Sequence, residues 1–419
     1  MTAGEATDLA EPTGRRAAAP SGLVLGVGLV LAAVNLRTAV AAVPPLLSRI
    51  QDDLGLSGVA AGSLTTLPVV CMGLFAPVAQ RLAARVGREA TVGWALLVIA
   101  AGTLVRLGGG SLVLLFGGTL LAGVGIAVGQ TVLPGVVKEH FAGRDGALTA
   151  LYSTAMAVGA TVAAAVAVPV ETASGSWQRS LAVWCAPALL ALAVWWPLTG
   201  RLRRAHATRR REPDPQVVAA GTAALPWRST TAWLISLYLG VQSLLFYSQL
   251  SWIPPLYEQR GWSASRAGLA LSVFNLVGIA GSLALPSVAG RRHDRRPMFY
   301  LSMGASVLGL TMVALAPTTL PWLWLVVMGV GQGGAFSLGL LLLVDHADDP
   351  ATSSRLSAMA FLVAYSLAAV GPAALGALRD ATGTFTAAFL VLAGLGMVEL
   401  ALATAFSPAR RQRGVRAAA

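Results

Sequence analysis

Twelve apolar runs follow one another along this chain, each near the length of about 20 residues that a bilayer core demands. They occupy roughly 22–47, 58–80, 89–108, 112–137, 146–170, 180–199, 230–256, 266–289, 298–316, 320–344, 355–379 and 384–407. In hydrocarbon every backbone N–H and C=O must be satisfied within the protein, so a chain built this way becomes an all-α membrane protein. Composition agrees: 11% of residues are charged, against roughly 25% in a soluble domain. A soluble enzyme, a disordered chain and a nucleic-acid-binding protein are excluded on that ground. The net charge of +12 sits in short clusters between the runs, which is a topology signal rather than a binding face for nucleic acid.

Links between runs are short except for residues 200–229, which hold Arg201, Arg203, Arg204, Arg209, Arg210 and Arg211, then Pro213 and Pro215. The expected organisation is therefore a polar tail over 1–21, a six-helix bundle over 22–199, a basic loop over 200–229, a second six-helix bundle over 230–407 and a tail over 408–419. The first 21 residues do not read as a cleavable signal peptide, because the apolar run after them is too long.

Charge sets the expected orientation. With the N-terminus inside, 23 of the 30 Lys and Arg fall on the cytoplasmic side, including Arg81, Arg85, Arg88, Lys138 and Arg291 to Arg296. Six fall outside (Arg49, Arg106, Arg179, Arg260, Arg266, Arg379) and one, Arg37, lies within a run. The positive-inside rule then places both termini in the cytoplasm of a cell-membrane protein.

The halves echo each other. Pro44-Pro45 closes the first run and Pro254-Pro255 the seventh, 210 residues later; Ala61-Gly62 and Ala267-Gly268 are offset by 206, as are Gly123-Val124-Gly125 and Gly329-Val330-Gly331. These pairs fall in register at runs 1/7, 2/8 and 4/10, which points to a duplicated six-helix unit of the kind used by transporters. Pro68, Pro77, Pro134, Pro286 and Pro372 should kink their helices, while Trp177, Trp184, Trp195, Trp196, Trp252, Trp262 and Trp322 read as interface anchors.

Polar side chains in hydrocarbon are costly and mark function by default. Arg37 lies about midway along the first run and cannot shed its proton, so it should meet a wet cavity, a counter-ion or an anionic ligand. Asn35, Gln130, Gln242, Tyr247, Asn275, Gln332 and Tyr365 join it as candidate substrate-binding residues. The 210-residue offset sets Arg37 opposite Tyr247. Glu399, well inside the last run, is a possible proton-coupling group; its plainer reading is a local pairing away from the centre. Cys71 and Cys185 lie in apolar runs, and His140, His206, His293 and His346 lie in loops with no HExxH or ligand spacing. No metal, no cofactor and no enzyme chemistry are expected, and no phosphate-binding loop couples the chain to ATP. The expected partners are a small-molecule substrate and the lipid bilayer, for a protein acting as a monomer.

The stretch NLRTAVAAVPPLL from Asn35 and LTTLPVVCMGLFAPVAQRLAARVG from Leu64 to Gly87 resemble the cyanate permease and 2-nitroimidazole transporter family of the major facilitator superfamily. So do LLAGVGIAVGQTVLPG (Leu120–Gly135), LYSTA (Leu151–Ala155), QSLLFYSQLSWIPPL (Gln242–Leu256) and GPAALGALRDATG (Gly371–Gly383). The resemblance covers residues 22 to 407. It implies the twelve-helix fold in two pseudo-symmetric six-helix bundles, rocking alternating access, and a secondary active or facilitative transporter for a small polar or anionic solute, cyanate-like or nitroimidazole-like. It also implies conformational gating at the loop with Arg81, Arg85, Gly87 and Arg88. This chain departs from the family at Ala84, where the superfamily loop has aspartate, and at Gln130, where members often have asparagine. The competing expectation is a proton-coupled exporter of amphiphilic compounds. It calls for an acid in the central cavity and a G-x-x-x-G-P motif in the fifth span, which here reads TAMAVGATVAAAVAV.

Overall fold

The structure is a computed structural model that describes residues 22–140, 145–207, 225–292, 294–346 and 350–406. The two tails, Arg144, the cluster Arg209 to Arg211 with Pro213 and Pro215, and His293 lie outside the described residues. Within them, eleven helices are long and apolar enough to cross a membrane, or twelve if one bent pair counts as a span.

The first span is Gly22–Ala41, followed by a tight turn at Pro44–Leu46 and the short helix Leu47–Leu54. The second is the bent pair Gly58–Leu74 and Ala76–Val86, with 55° between its parts. Then come Arg88–Val105, Leu112–His140 and Asp145–Ser174, and a sixth span made of Trp177–Ala182 and Cys185–Ala207. Spans seven to ten are Thr230–Gln259, Ala264–Gly290, Arg296–Leu315 and Pro321–Asp345. The eleventh is Pro350–Ala368 plus Gly371–Thr382, and the twelfth Phe385–Thr404.

The prolines divide by position. Pro77 and Pro372 stand in the first turn of a new helix after a break, where a missing N–H costs nothing. Pro68, Pro134 and Pro286 stay inside continuous helices, since neighbours in a bundle can re-satisfy the freed carbonyls. Two of the tryptophans expected at the interface are fully buried instead. Trp195 donates to the Glu89 carbonyl at 2.8 Å and Trp252 to the Pro372 carbonyl at 2.8 Å. The indole N–H had to find a partner once buried, and these carbonyls supply it.

The duplication is written into turns and pairings. Gly55 and Gly261, 206 apart, both take left-handed backbone at φ 62° and 85°, where glycine alone avoids a steric penalty. Ser57 and Ser263 follow them and cap the second and eighth spans through Ala60 N–H and Arg266 N–H. Arg88 pairs with Glu139 at the basic end of spans three and four, and Arg295 pairs with Asp345 at the same place in spans nine and ten. Packing repeats too: spans 1·5, 3·4, 3·6 and 1·6 in the first half correspond to 7·11, 9·10, 9·12 and 7·12 in the second. The halves meet through spans 5·8 and 2·11.

Small residues let these helices approach to backbone contact. A Cβ at Gly333 would overlap the Gly278 carbonyl between spans eight and ten. Gly333→Ala should therefore lower stability by about 3 kcal/mol, the upper range for overpacking. The check is a thermal melt in detergent, with transport falling only in proportion to the protein still folded.

Candidate functional site

Arg37 projects from the first span four residues before the helix ends at Ala41, where the polar pair Asn35 and Arg37 interrupts an otherwise apolar helix. Its Nη1 donates to the Tyr247 hydroxyl at 2.9 Å, across the junction of the halves. The guanidinium also lies 5.8 Å from the centre of the Tyr247 ring, within range of a cation–π attraction. No carboxylate pairs with Arg37 among the described residues. Arg37 keeps part of its surface accessible despite its depth, and so do Gln130 and Tyr365.

A second bridge lies beside the first. Gln130 Nε2, from the fourth span, donates to the Tyr365 hydroxyl of the eleventh at 3.0 Å. Its Oε1 is buried without a hydrogen-bond partner. Tyr247 donates its own proton to Met72 Sδ at 3.6 Å. Aromatic rings back both tyrosines: Phe246 meets Tyr247 edge-on at 5.3 Å and Phe361 stacks on Tyr365 at 6.0 Å. Four of the residues expected at the site (Arg37, Gln130, Tyr247 and Tyr365) are thus joined in two cross-half hydrogen bonds.

The other four take no part in these two bonds. Asn35 is 1% exposed and ties the first span to the sixth, donating to Leu31 O at 2.8 Å and Pro187 O at 3.1 Å. Gln242 and Gln332 face each other in a clasp between spans seven and ten. Gln332 Nε2 donates to the Gln242 carbonyl at 2.9 Å and Gln242 Nε2 to the Gln332 carbonyl at 3.4 Å. Ser306 and Gln249 both donate to Gln332 Oε1, at 3.0 and 3.4 Å. Asn275 is buried in the eighth span with its Nδ2 unpartnered. Glu399 is 1% exposed and lies against Tyr238, whose hydroxyl donates to Ala335 O at 2.8 Å. It packs with the cluster around Tyr238, Phe299 and Phe406, apart from the cluster that holds Tyr247.

Sequence reasoning did not single out Met72, Phe246, Phe361 or Gln249. The first three are apolar residues in apolar spans, which carry no distinguishing signal. Gln249 was as visible as Gln242.

Between this centre and the end away from the basic loops, the halves are pressed together. Thr65 and Ser251 share a hydrogen bond of 2.6 Å, and Ser272 donates to Thr161 O at 3.0 Å. Asp380 Oδ2 accepts from the Gly58 N–H at 2.6 Å, so one half caps a helix of the other. A Cβ at Gly376 would overlap the Gly58 carbonyl, and one at Gly62 the Pro372 carbonyl. At the basic end, Gly87 turns the chain between spans two and three at φ 92°. Arg81 and Arg85 are exposed there, and Arg88 reaches Glu139 at 2.9 Å.

Comparison with known proteins follows the same lines. The chain is 33% identical to the cyanate transport protein CynX of Escherichia coli (strain K12), over 91% of this chain and 97% of that one. It is 32% identical to the 2-nitroimidazole transporter of the same organism, over 94% and 97%. The crystal structure of a D-xylose-proton symporter superposes with a TM-score of 0.73 at 14% identity, over 92% of this chain and 98% of the other, a likeness of fold. Residues 25–372 match the Major Facilitator Superfamily, and with the duplicated twelve-span bundle and its central, charge-bearing seam they place this chain in that family of membrane transporters.

Proposed function

We propose that this chain carries a small monoanion, or a planar solute with a polarised acceptor group, through a central cavity at Arg37. The observation that supports this reading is a permanent cation within the first span whose partner is a neutral tyrosine hydroxyl rather than a carboxylate. A charge so placed attracts an anionic or electron-rich group. Gln130, Tyr247 and Tyr365 add directional hydrogen bonds, and Phe246 and Phe361 supply flat walls. The relatives named for cyanate and 2-nitroimidazole agree with such a cargo, since both offer delocalised acceptor atoms to a guanidinium.

The bundles 22–199 and 230–407 are the units that rock, with the cross-half bonds at Arg37 and Gln130 exchanged for contacts to substrate. With the far end sealed by Thr65, Ser251, Gly58 and Asp380, the accessible surface on Arg37 belongs to a cavity entered from the basic end. That end faces the cytoplasm by the distribution of charge, so both termini are cytoplasmic and the protein works as a monomer of the cell membrane, without nucleic acid. Arg81, Arg85, Gly87 and Arg88 are the loop across which that end opens and closes. The exporter reading has less behind it: Glu399 packs with Tyr238 rather than at Arg37.

Asn35, Gln242 and Gln332 act in this reading by fixing helix positions, while the Asn275 Nδ2 has no partner. Gln332→Leu would leave the Gln242 carbonyl region and Ser306 without their partner. It should cost about 1–2 kcal/mol of stability with substrate affinity unchanged in the folded fraction, measured by a melt beside ligand titration.

The test of the whole proposal is a thermal-shift and binding panel on purified protein, wild type beside Arg37→Ala. Cyanate, other small monovalent anions, nitroimidazoles and neutral amphiphiles serve as ligands. Stabilisation by an anion or nitroimidazole that disappears in the variant is the expected result. Stabilisation by neutral amphiphiles alone, equal in both proteins, sinks the proposal.

A further inference from the structure

We propose that Arg106 is a positioning residue of the transport site: it ties the third span to the broken end of the first, and so holds the direction of Arg37. The inference rests on the reading that Arg37 meets the substrate.

The break begins in the sequence. Pro44 and Pro45 have no N–H, so the carbonyls of Val40 and Ala41 lose the donors a continuing helix would give them. The chain tightens instead. Ala42 N–H reaches Thr38 O at 3.0 Å, and Val43 N–H reaches Val40 O at 3.2 Å. The Ala39 carbonyl is left over, and Arg106 Nη1 donates to it at 2.8 Å. Every residue from Thr38 to Leu47 is buried, so water is not at hand to replace that bond. Irregular backbone at membrane depth persists only where protein groups satisfy it.

The choice of arginine is informative. Arg106 is 1% exposed, pairs with no carboxylate among the described residues, and has Nε and Nη2 without a partner. A buried, permanent charge is an expensive way to supply one hydrogen bond. What it adds is attraction to the carbonyl end of Gly22–Ala41, the negative pole of that helix. A neutral donor would hold the carbonyl more weakly.

The other half shows that the break and the arginine belong together. The seventh span carries Pro254 and Pro255 yet runs unbroken from Thr230 to Gln259. The segment 206 to 210 residues beyond Arg106, Met312 to Ala316, has no basic residue. One repeat has both features and the other has neither.

Two consequences follow from where the anchored carbonyl sits. Ala39 is two residues from Arg37, so the turn it fixes sets the rotation of the helix that presents the guanidinium. The same broken segment presses Pro45 toward the eighth span, where a Cβ at Gly268 would lie 3.3 Å from Pro45 Cβ. Arg106 thus steadies a piece of chain shared by the site and by the sealed end.

The experiment compares Arg106→Met, Arg106→Lys and Arg37→Ala with wild type. It reads KM and maximal rate of cyanate uptake per folded protein in vesicles, and hydrogen exchange of residues 36–47 by mass spectrometry. Arg106→Met should raise KM about tenfold, keep most of the maximal rate and speed exchange in that segment. Arg106→Lys, which keeps a charged donor, should recover most of both. An unchanged KM in Arg106→Met, or a lysine variant no better than the methionine one, overturns the proposal. If Arg106→Met does not accumulate in the membrane, Arg106→Gln takes its place in the same comparison with Arg106→Lys. The Arg37→Ala arm judges the site reading separately: binding that survives there removes Arg37 as the substrate group, while exchange in residues 36–47 still decides whether Arg106 anchors the turn.

Discussion

Arg37→Ala should reduce uptake to background while the protein still reaches the membrane. A hydrogen bond to a charged group contributes about 1.5–3 kcal/mol, and a guanidinium can direct two at one acceptor group. Losing both corresponds to roughly 100-fold to 10,000-fold in affinity at about 1.4 kcal/mol per tenfold. Stability should hold or improve, because the variant removes a charge that has no acid to offset it. Tyr247 would lose one donor and keep its contact to Met72. Arg37→Lys separates charge from geometry: it keeps the charge but not the planar fork, and uptake should fall about tenfold relative to wild type. Radiolabelled uptake in vesicles, normalised to membrane-inserted protein, gives the answer. Wild-type uptake in Arg37→Ala would remove this residue from the site.

The second large effect concerns movement rather than binding. Gly376→Ala places a methyl group on the Gly58 carbonyl across the junction of spans two and eleven. The halves then cannot close at the end away from the basic loops, and a transporter that cannot seal one end cannot alternate. Transport should fall at least about tenfold, as for a shift of about 1.4 kcal/mol or more against the closed state. Ligand binding should survive, because the clash falls on the Gly58 carbonyl and not on the Arg37–Tyr247 pair. This separates it from Gly333→Ala, whose clash lies within one half and costs stability in every state. Gly394→Ala, at a position with open space around it, is the control and should transport normally. Hydrogen exchange over residues 58–65 reports the seal directly, and normal transport with unchanged exchange in Gly376→Ala would show that the contact does not govern closure.

Both predictions rest on features of different legibility. The span count and the duplication could be read from the chain. Apolar length is set by the bilayer, and a duplicated unit leaves matching Pro-Pro, Ala-Gly and Gly-x-Gly steps whatever else drifts. The repeat offset even paired Arg37 with Tyr247, which hydrogen-bond at 2.9 Å. The pairing of Gln130 with Tyr365 has no such register, being separated by 235 residues. The matched ion pairs Arg88–Glu139 and Arg295–Asp345 also escaped notice, because each joins two span ends that only folding brings together.

The amides mark the boundary most clearly. Asn35, Gln130, Gln242 and Gln332 look alike in sequence, each an amide in a long, mostly apolar helix. Such a helix has no polar face, so periodicity cannot say which side meets lipid, protein or cavity. The answer depends on whether another helix brings a carbonyl within hydrogen-bonding distance. Pro187 O does so for Asn35 and the Gln332 carbonyl for Gln242, while Gln130 meets a tyrosine at the junction of the halves. The sequence by itself determined the spans, the duplication and the lone central charge, because hydrocarbon penalises any other reading of those residues. The tertiary structure decided which polar groups clasp helices and which meet at the seam, because that turns on distances between segments that the order of residues does not contain.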